Sequence, residues 1–123
     1  MSRGGGGHVK TGFGWIETGG KRYPHDIVIH TDGSITKRKK KLSKSFREEY
    51  GHTPLSGEEL GDLLLEKPAV VYIGTGQYGS LPLTPNVTGL LAPFVSVVKP
   101  TPEVLPLLKQ DRARFVAILH VTC

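Results

Sequence analysis

Cysteine is nearly missing from this chain of 123 residues, and its single copy, Cys123, excludes an internal disulfide framework and any zinc cage built from several thiolates of one chain. That usage suits a reducing compartment, and cytoplasmic residence is the expectation. Aromatic residues are also sparse at 7%, and none is interleaved with the basic run in the way a base-stacking surface requires. No apolar run approaches the ~20 residues that a bilayer-spanning helix needs, so no membrane association is expected. Met1-Ser2-Arg3 followed by four glycines lacks the apolar core of a signal peptide. Acidic residues are outnumbered by basic ones, 11 against 16, and the excess is local: Lys37, Arg38, Lys39, Lys40, Lys41, Lys44 and Arg47 supply most of the net charge of +5.

What remains reads as one domain. The length matches a single core and is too short for two, and 37% hydrophobic with 22% charged residues lies well inside the globular range. Residues 1–10 are glycine-rich and unpatterned, which predicts a flexible tail, and 11–123 form the domain, with order beginning near Phe13. From Phe13 to Ile35 short strands are broken by Gly19-Gly20 and Asp32-Gly33, both hairpin signals. In Asp26-Ile27-Val28-Ile29-His30-Thr31 a period of two puts the isoleucines on one face, predicted to be the buried one. Lys37 to His52 reads as an exposed strand end running into a long mobile loop.

A helix is predicted after Ser56, where Ser56 and Glu59 match a capping box and Leu55 and Leu60 a hydrophobic staple, with Leu60, Leu63 and Leu64 facing inward. Lys67-Pro68 ends it. Ala69–Ile73, Phe94–Val98 and Phe115–Val121 are short, apolar, β-branched strands. Between them Thr84-Pro85 and Thr101-Pro102 each place a threonine at the cap and a proline at the first helical position. Pro106 predicts that the last helix is short or kinked. The expected fold is α/β: a three-layer domain around a mixed sheet, N-terminal antiparallel strands followed by strand, helix, strand, helix, strand.

Gly74-Thr75-Gly76-Gln77-Tyr78-Gly79 has the spacing Gly-x-Gly-x-x-Gly after a buried strand. Dinucleotide binding does not fit, because Ser80-Leu81-Pro82-Leu83 separates the third glycine from the next helix and Lys99 stands near the place of the required acidic residue. The loop's N–H groups, with Thr75, Gln77 and Tyr78, form a candidate site for a small anion or a partner. The competing reading is a turn that needs positive φ at its glycines, with Tyr78 packed over it.

His120 and Cys123 lie three apart on a strand and so point to opposite faces, whereas His120 and Thr122 share one. A core histidine and thiol compete with a local ligand cluster there. His30, Asp32 and Ser34 form a second candidate, an Asp-His pair able to orient a base, although Asp32-Gly33 is also a plain turn. The run Lys37, Arg38, Lys39, Lys40 and Lys41 offers a basic patch; nucleic-acid binding is possible on charge alone but no motif favours it over a solvated face.

The blocks Tyr23-Pro24-His25-Asp26-Ile27-Val28-Ile29, Asp32-Gly33-Ser34-Ile35, Ile73-Gly74-Thr75-Gly76, Thr101-Pro102-Glu103 and His120-Val121-Thr122-Cys123, in that order, resemble the Mth-domain family. It is a conserved hypothetical family first described from a methanogen. Its eukaryotic relatives include the adipogenesis-associated Mth domain-containing protein and mitochondrial complex I assembly factor three. The resemblance spans Phe13 to Cys123. It implies a three-layer fold whose final strand is antiparallel to its neighbours, which would set His120 at the opposite end of the sheet from the glycine loop. It brings no established reaction, and its best-placed relatives act in assembly or regulation. The basic stretch Lys37 to Lys44 is not clearly shared with the eukaryotic relatives.

The leading expectation is therefore a non-catalytic binding or assembly module that meets a protein partner or a small anion, with no cofactor and no metal. The alternatives are a small enzyme using a histidine site and a basic RNA- or DNA-binding protein.

Overall fold

Gly19 and Gly20 both have positive φ, 62° and 79°, the pairing that a two-residue hairpin turn demands. They join β2 (Trp15–Thr18) to β3 (Lys21–Tyr23), and β1 (Lys10–Gly12) pairs with β2 on the other side, giving a small antiparallel sheet ordered β1-β2-β3. The computed structural model describes residues 10–51 and 53–122. Residues 1–9 of the expected tail, and Cys123, lie outside the described residues. Lys10, assigned to the tail from sequence, opens β1.

Asp32-Gly33 turns the chain between β4 (Ile27–Ile29) and β5 (Ile35–Lys37), as its sequence signal indicates. The remaining strands, β6 (Val70–Thr75), β7 (Val95–Lys99) and β8 (Phe115–His120), complete a five-stranded sheet of order β5-β4-β8-β6-β7. The segment read as a mobile loop instead forms a 3-10 helix (Lys40–Phe46) and a single helical turn, α1 (Arg47–Tyr50). Three further helices follow: α2 (Gly57–Leu64), α3 (Pro85–Leu91) and α4 (Thr101–Gln110).

One expectation is corrected outright. β8 is antiparallel to β4 but parallel to β6, with Thr75 registered against His120. The cause is connectivity: the chain passes from β6 through α3 to β7 and from β7 through α4 to β8, and a helical crossover returns a strand in its original direction. His120 therefore lies beside the end of β6 that runs into the glycine loop, not at the far end of the sheet.

Both faces of the sheet are covered. Val28, Val71, Ile73, Val116 and Ile118 pack with Leu60 and Leu63 of α2 and Val87 and Leu91 of α3. Ile27, Tyr72, Ala117 and Leu119 pack on the other side with Ile16 of β2 and Val104, Leu105 and Leu108 of α4. The period of two along each strand thus feeds two cores, and Val28 is as much a core residue as Ile27, where sequence assigned burial to the isoleucine face alone. At about 1.5–3 kcal/mol per fully buried aliphatic side chain, these central strands anchor the domain. Gly74 is required by packing: a Cβ there would lie 2.6 Å from Thr101 Oγ1 and 3.1 Å from Thr101 Cα, so only glycine lets α4 approach β6 this closely.

Candidate functional site

The antiparallel register of β4 on β8, Ile27 against Leu119, brings Asp26 next to His120. Asp26 Oδ2 accepts from His120 Nδ1 at 2.7 Å and from Arg38 Nη1 at 2.9 Å, while Oδ1 accepts from the Val121 N–H at 2.8 Å. Arg38 arrives from the partner strand of the same hairpin, its backbone N–H donating to Asp26 O at 3.1 Å. Its Nε and Nη2 donate to the two carboxylate oxygens of Glu59 at 2.7 and 2.8 Å, and Nη2 also reaches Pro54 O at 2.9 Å. Ser43 donates to Glu59 and contacts Ser56 Oγ at 2.6 Å.

All six polar residues of this network, Asp26, Arg38, Ser43, Ser56, Glu59 and His120, are almost fully buried, and buried charge is tolerated only when paired and hydrogen-bonded. Burial alone would push the Asp26 carboxyl up, but the hydrogen bond and charge of His120, the Val121 N–H and Arg38 outweigh it and hold it down at about 2. Burial would likewise pull the Arg38 guanidinium down, and the Glu59 and Asp26 carboxylates raise it instead.

Because the Asp26 carboxylate can only accept, His120 carries its hydrogen on Nδ1 and turns Nε2 toward Thr122, whose Oγ1 is 3.1 Å away. His120 and Thr122 form part of the wall of a cavity of about 460 Å³. Lys40, Lys41 and Lys44 of the 3-10 helix, Arg47 of α1, Thr53 and Leu81 complete it. Among the described residues none of these four cations is in an ion pair. The basic segment is held in place from below, by Arg38 preceding it and by Ser43, which is 0% exposed within it.

Five residues of the sequence-derived basic patch separate accordingly. Lys40 and Lys41 face the cleft, Lys37 and Lys39 are exposed elsewhere, and Arg38 is not a surface cation at all, at 3% exposure. The predicted capping box at Ser56 and Glu59 is also replaced. Ser56 occupies the N-cap position without a side-chain bond to the helix, because its hydroxyl and the Glu59 carboxylate are both committed to the buried network.

In the glycine loop, the N–H groups of Gly76, Gln77 and Gly79 donate to Thr101 Oγ1, Thr122 O and Gly76 O at 3.0, 3.0 and 3.3 Å. The Gln77 side chain reaches Thr11 Oγ1 at 2.9 Å, and Thr101 Oγ1 donates to His120 O at 2.6 Å. Gly74 to Gly79 thus ties β6 to β8, to β1 and to the start of α4, with φ of 102° at Gly76 and 73° at Gly79. Thr75 is buried at the end of β6. Tyr78 is not packed over the loop; it is 77% exposed, with Phe13 at 6.4 Å between ring centroids.

The second histidine candidate is a separate cluster at the opposite end of β4. His30 Nδ1 meets Glu66 Oε2 at 2.7 Å and Nε2 meets Thr36 Oγ1 at 2.8 Å. Asp32 accepts from the N–H and Oγ of Ser34 at 2.9 and 2.7 Å. The partner of His30 is Glu66, which sequence reasoning did not single out. Asp26 and Glu59 were missed in the same way, the first read as a strand-face residue and the second as a capping group. Among the described residues no group of three or more His, Cys, Asp or Glu side chains is arranged to hold a metal, and no helix is long and apolar enough to cross a membrane.

The fold and the site together define a small α/β domain built on a mixed sheet, with a basic cleft over a buried Asp-Arg-Glu network at the ends of β6 and β8. No family model and no curated protein matches the chain. Among solved structures it is similar to conserved hypothetical protein PH1505 from Pyrococcus horikoshii OT3, at 38% identity and TM-score 0.83 over 94% of this chain and 99% of that one. It is also similar to the protein MT938, at 36% identity and TM-score 0.75, covering 93% and 96%. The chain belongs to the family of these conserved hypothetical proteins. A Bordetella parapertussis protein, 20% identical at TM-score 0.50 over 92% and 93%, shares the fold alone.

Proposed function

We propose that the protein is a binding module for a small anion carrying phosphate or carboxylate groups, and that the ligand sits in the cleft over His120. The observation that carries this reading is the concentration of Lys40, Lys41, Lys44 and Arg47 around one cavity of about 460 Å³ whose remaining polar groups are Thr53, Thr122 and His120, with no carboxylate among the lining residues. A concave site lined by one sign of charge focuses the field and raises the local concentration of the opposite charge. The volume suits a metabolite-sized ligand. The glycine loop, bonded to Thr122 and Thr101, serves this site by holding the end of β8.

The setting we propose is the Mth-domain family and a cytoplasmic binding or assembly role. A protein partner is the second reading, supported by β7, an edge strand of the large sheet with Val95 and Val98 64% and 43% exposed. Such an edge accepts an added strand through its main chain.

Calorimetry with pyrophosphate tests the first reading. Binding should weaken steeply with salt and should fall about 5- to 30-fold in Lys40→Gln/Lys44→Gln, since each lost cation removes roughly 0.5–1 kcal/mol at a partly exposed site. Binding unchanged in that variant would sink the cleft as the anion site.

A further inference from the structure

We infer that Asp26, His120 and Thr122 form an acid–base relay that makes the Thr122 hydroxyl a nucleophile, so that the cleft takes small anionic esters and transfers their acyl group. The inference rests on the cleft being the ligand site and adds a reaction to it.

The three groups are hydrogen-bonded in line. The Asp26 carboxylate accepts from Nδ1 at 2.7 Å, and Nε2 stands 3.1 Å from Thr122 Oγ1. This is the order of roles in carboxylate–histidine–hydroxyl hydrolases, which are recognised by geometry and not by position in the chain. The Asp26 carboxylate is 4% exposed and fixed by Arg38 and the Val121 N–H. It therefore holds the imidazole in one tautomer and one orientation. Thr122 follows His120 by two residues, the spacing that puts two side chains on one face of an extended chain, and both line the cavity. The hydroxyl is the hydrogen-bond partner of Nε2, so the imidazole acts on Thr122 and not directly on a ligand.

Lys40, Lys44 and Arg47 around the cavity supply the positive field for the negative charge that develops on a tetrahedral intermediate. In the step itself Thr122 Oγ1 bonds to the acyl carbon while its proton passes to Nε2. The bond to the leaving oxygen then breaks, and that oxygen departs with the proton. A water, deprotonated by Nε2 in turn, cleaves the acyl-threonine and regenerates the hydroxyl.

A fluorophosphonate captures such a hydroxyl: Oγ1 bonds to phosphorus, fluoride leaves, and the proton goes to Nε2. The full chain is treated with the probe and the modified residue located by peptide mass spectrometry. Label is expected on Thr122, retained in Thr122→Ser, absent in Thr122→Val and slower by about 100-fold in His120→Gln, the scale of general-base assistance. In the free protein the His120 nitrogen shifts should report the Nδ1–H tautomer that Asp26 imposes, a signature that packing alone would not set.

No label on Thr122 in a wild-type chain that still binds pyrophosphate overturns the relay and leaves the cleft standing. Loss of both overturns both. Equal labelling of wild type and His120→Gln, or the opposite tautomer, also rejects the relay.

Discussion

Replacing Asp26 by asparagine removes the charge on which Arg38 and His120 converge while leaving the shape almost unchanged. In the wild type the Asp26 carboxyl is held at about 2 against an ordinary 3.8, which corresponds to about 2 kcal/mol of stability linked to its ionisation. A folded-state value below the unfolded one means that this contribution is fully present above about pH 4. It is lost as the pH falls toward 2. Asp26→Asn also leaves Arg38, at 3% exposure, short of one carboxylate, and breaking a buried pair costs about 3–5 kcal/mol. Urea unfolding should therefore find the variant less stable by about 3 kcal/mol at pH 7, a midpoint shift of roughly 1–3 M. Between pH 4 and pH 2 the gap should narrow by about 2 kcal/mol as the wild type loses what the variant never had. A gap that stays constant over that range would refute the assignment of the depressed carboxyl to Asp26.

Three further outcomes are expected. Gly74→Ala drives a Cβ into Thr101 and should destabilise by about 1–3 kcal/mol, visible as a lowered melting temperature. Thr101→Val leaves the His120 carbonyl and the Gly76 N–H without their partner, costing about 1–3 kcal/mol; hydrogen exchange at Gly76 should accelerate more than at β4. The Tyr72 phenol, pushed up to about 12 by burial and its bond to Asp111, should stay protonated in the folded chain through pH 10–11. An ultraviolet titration reads this, and stability linked to Tyr72 should be lost as the pH rises from 10 toward 12.

The strands and helices of the second half were legible because each carries a local cause: β-branched apolar runs for β6, β7 and β8, and a Thr-Pro pair ahead of α3 and α4. The direction of β8 was legible from connectivity alone, and the family resemblance misassigned it on the β6 side. The site was largely hidden. Asp26, Arg38 and Glu59 are distant in sequence and become one network only when the β4–β5 hairpin closes and α2 packs beneath it. Each of the three also had an ordinary local reading as a strand-face residue, part of a lysine run and a capping group. His120 and Thr122 were visible as a same-face pair, and the missing information was that Asp26 lies behind the histidine and Lys40, Lys41 and Lys44 lie in front. The 3-10 helix has no periodicity to read. It is held by the burial of Arg38 and Ser43, which a charge run does not advertise.

The most direct test of the anion cleft is a pyrophosphate titration followed by backbone and imidazole nitrogen NMR on the full chain. Saturable shifts are expected at Lys40, Lys41, Lys44, Arg47, His120 and Thr122 and not elsewhere, with the midpoint moved to higher pyrophosphate in Lys40→Gln/Lys44→Gln. Shifts centred on Gly76 to Gly79, or spread evenly over exposed lysines such as Lys37, Lys39 and Lys109, would contradict it.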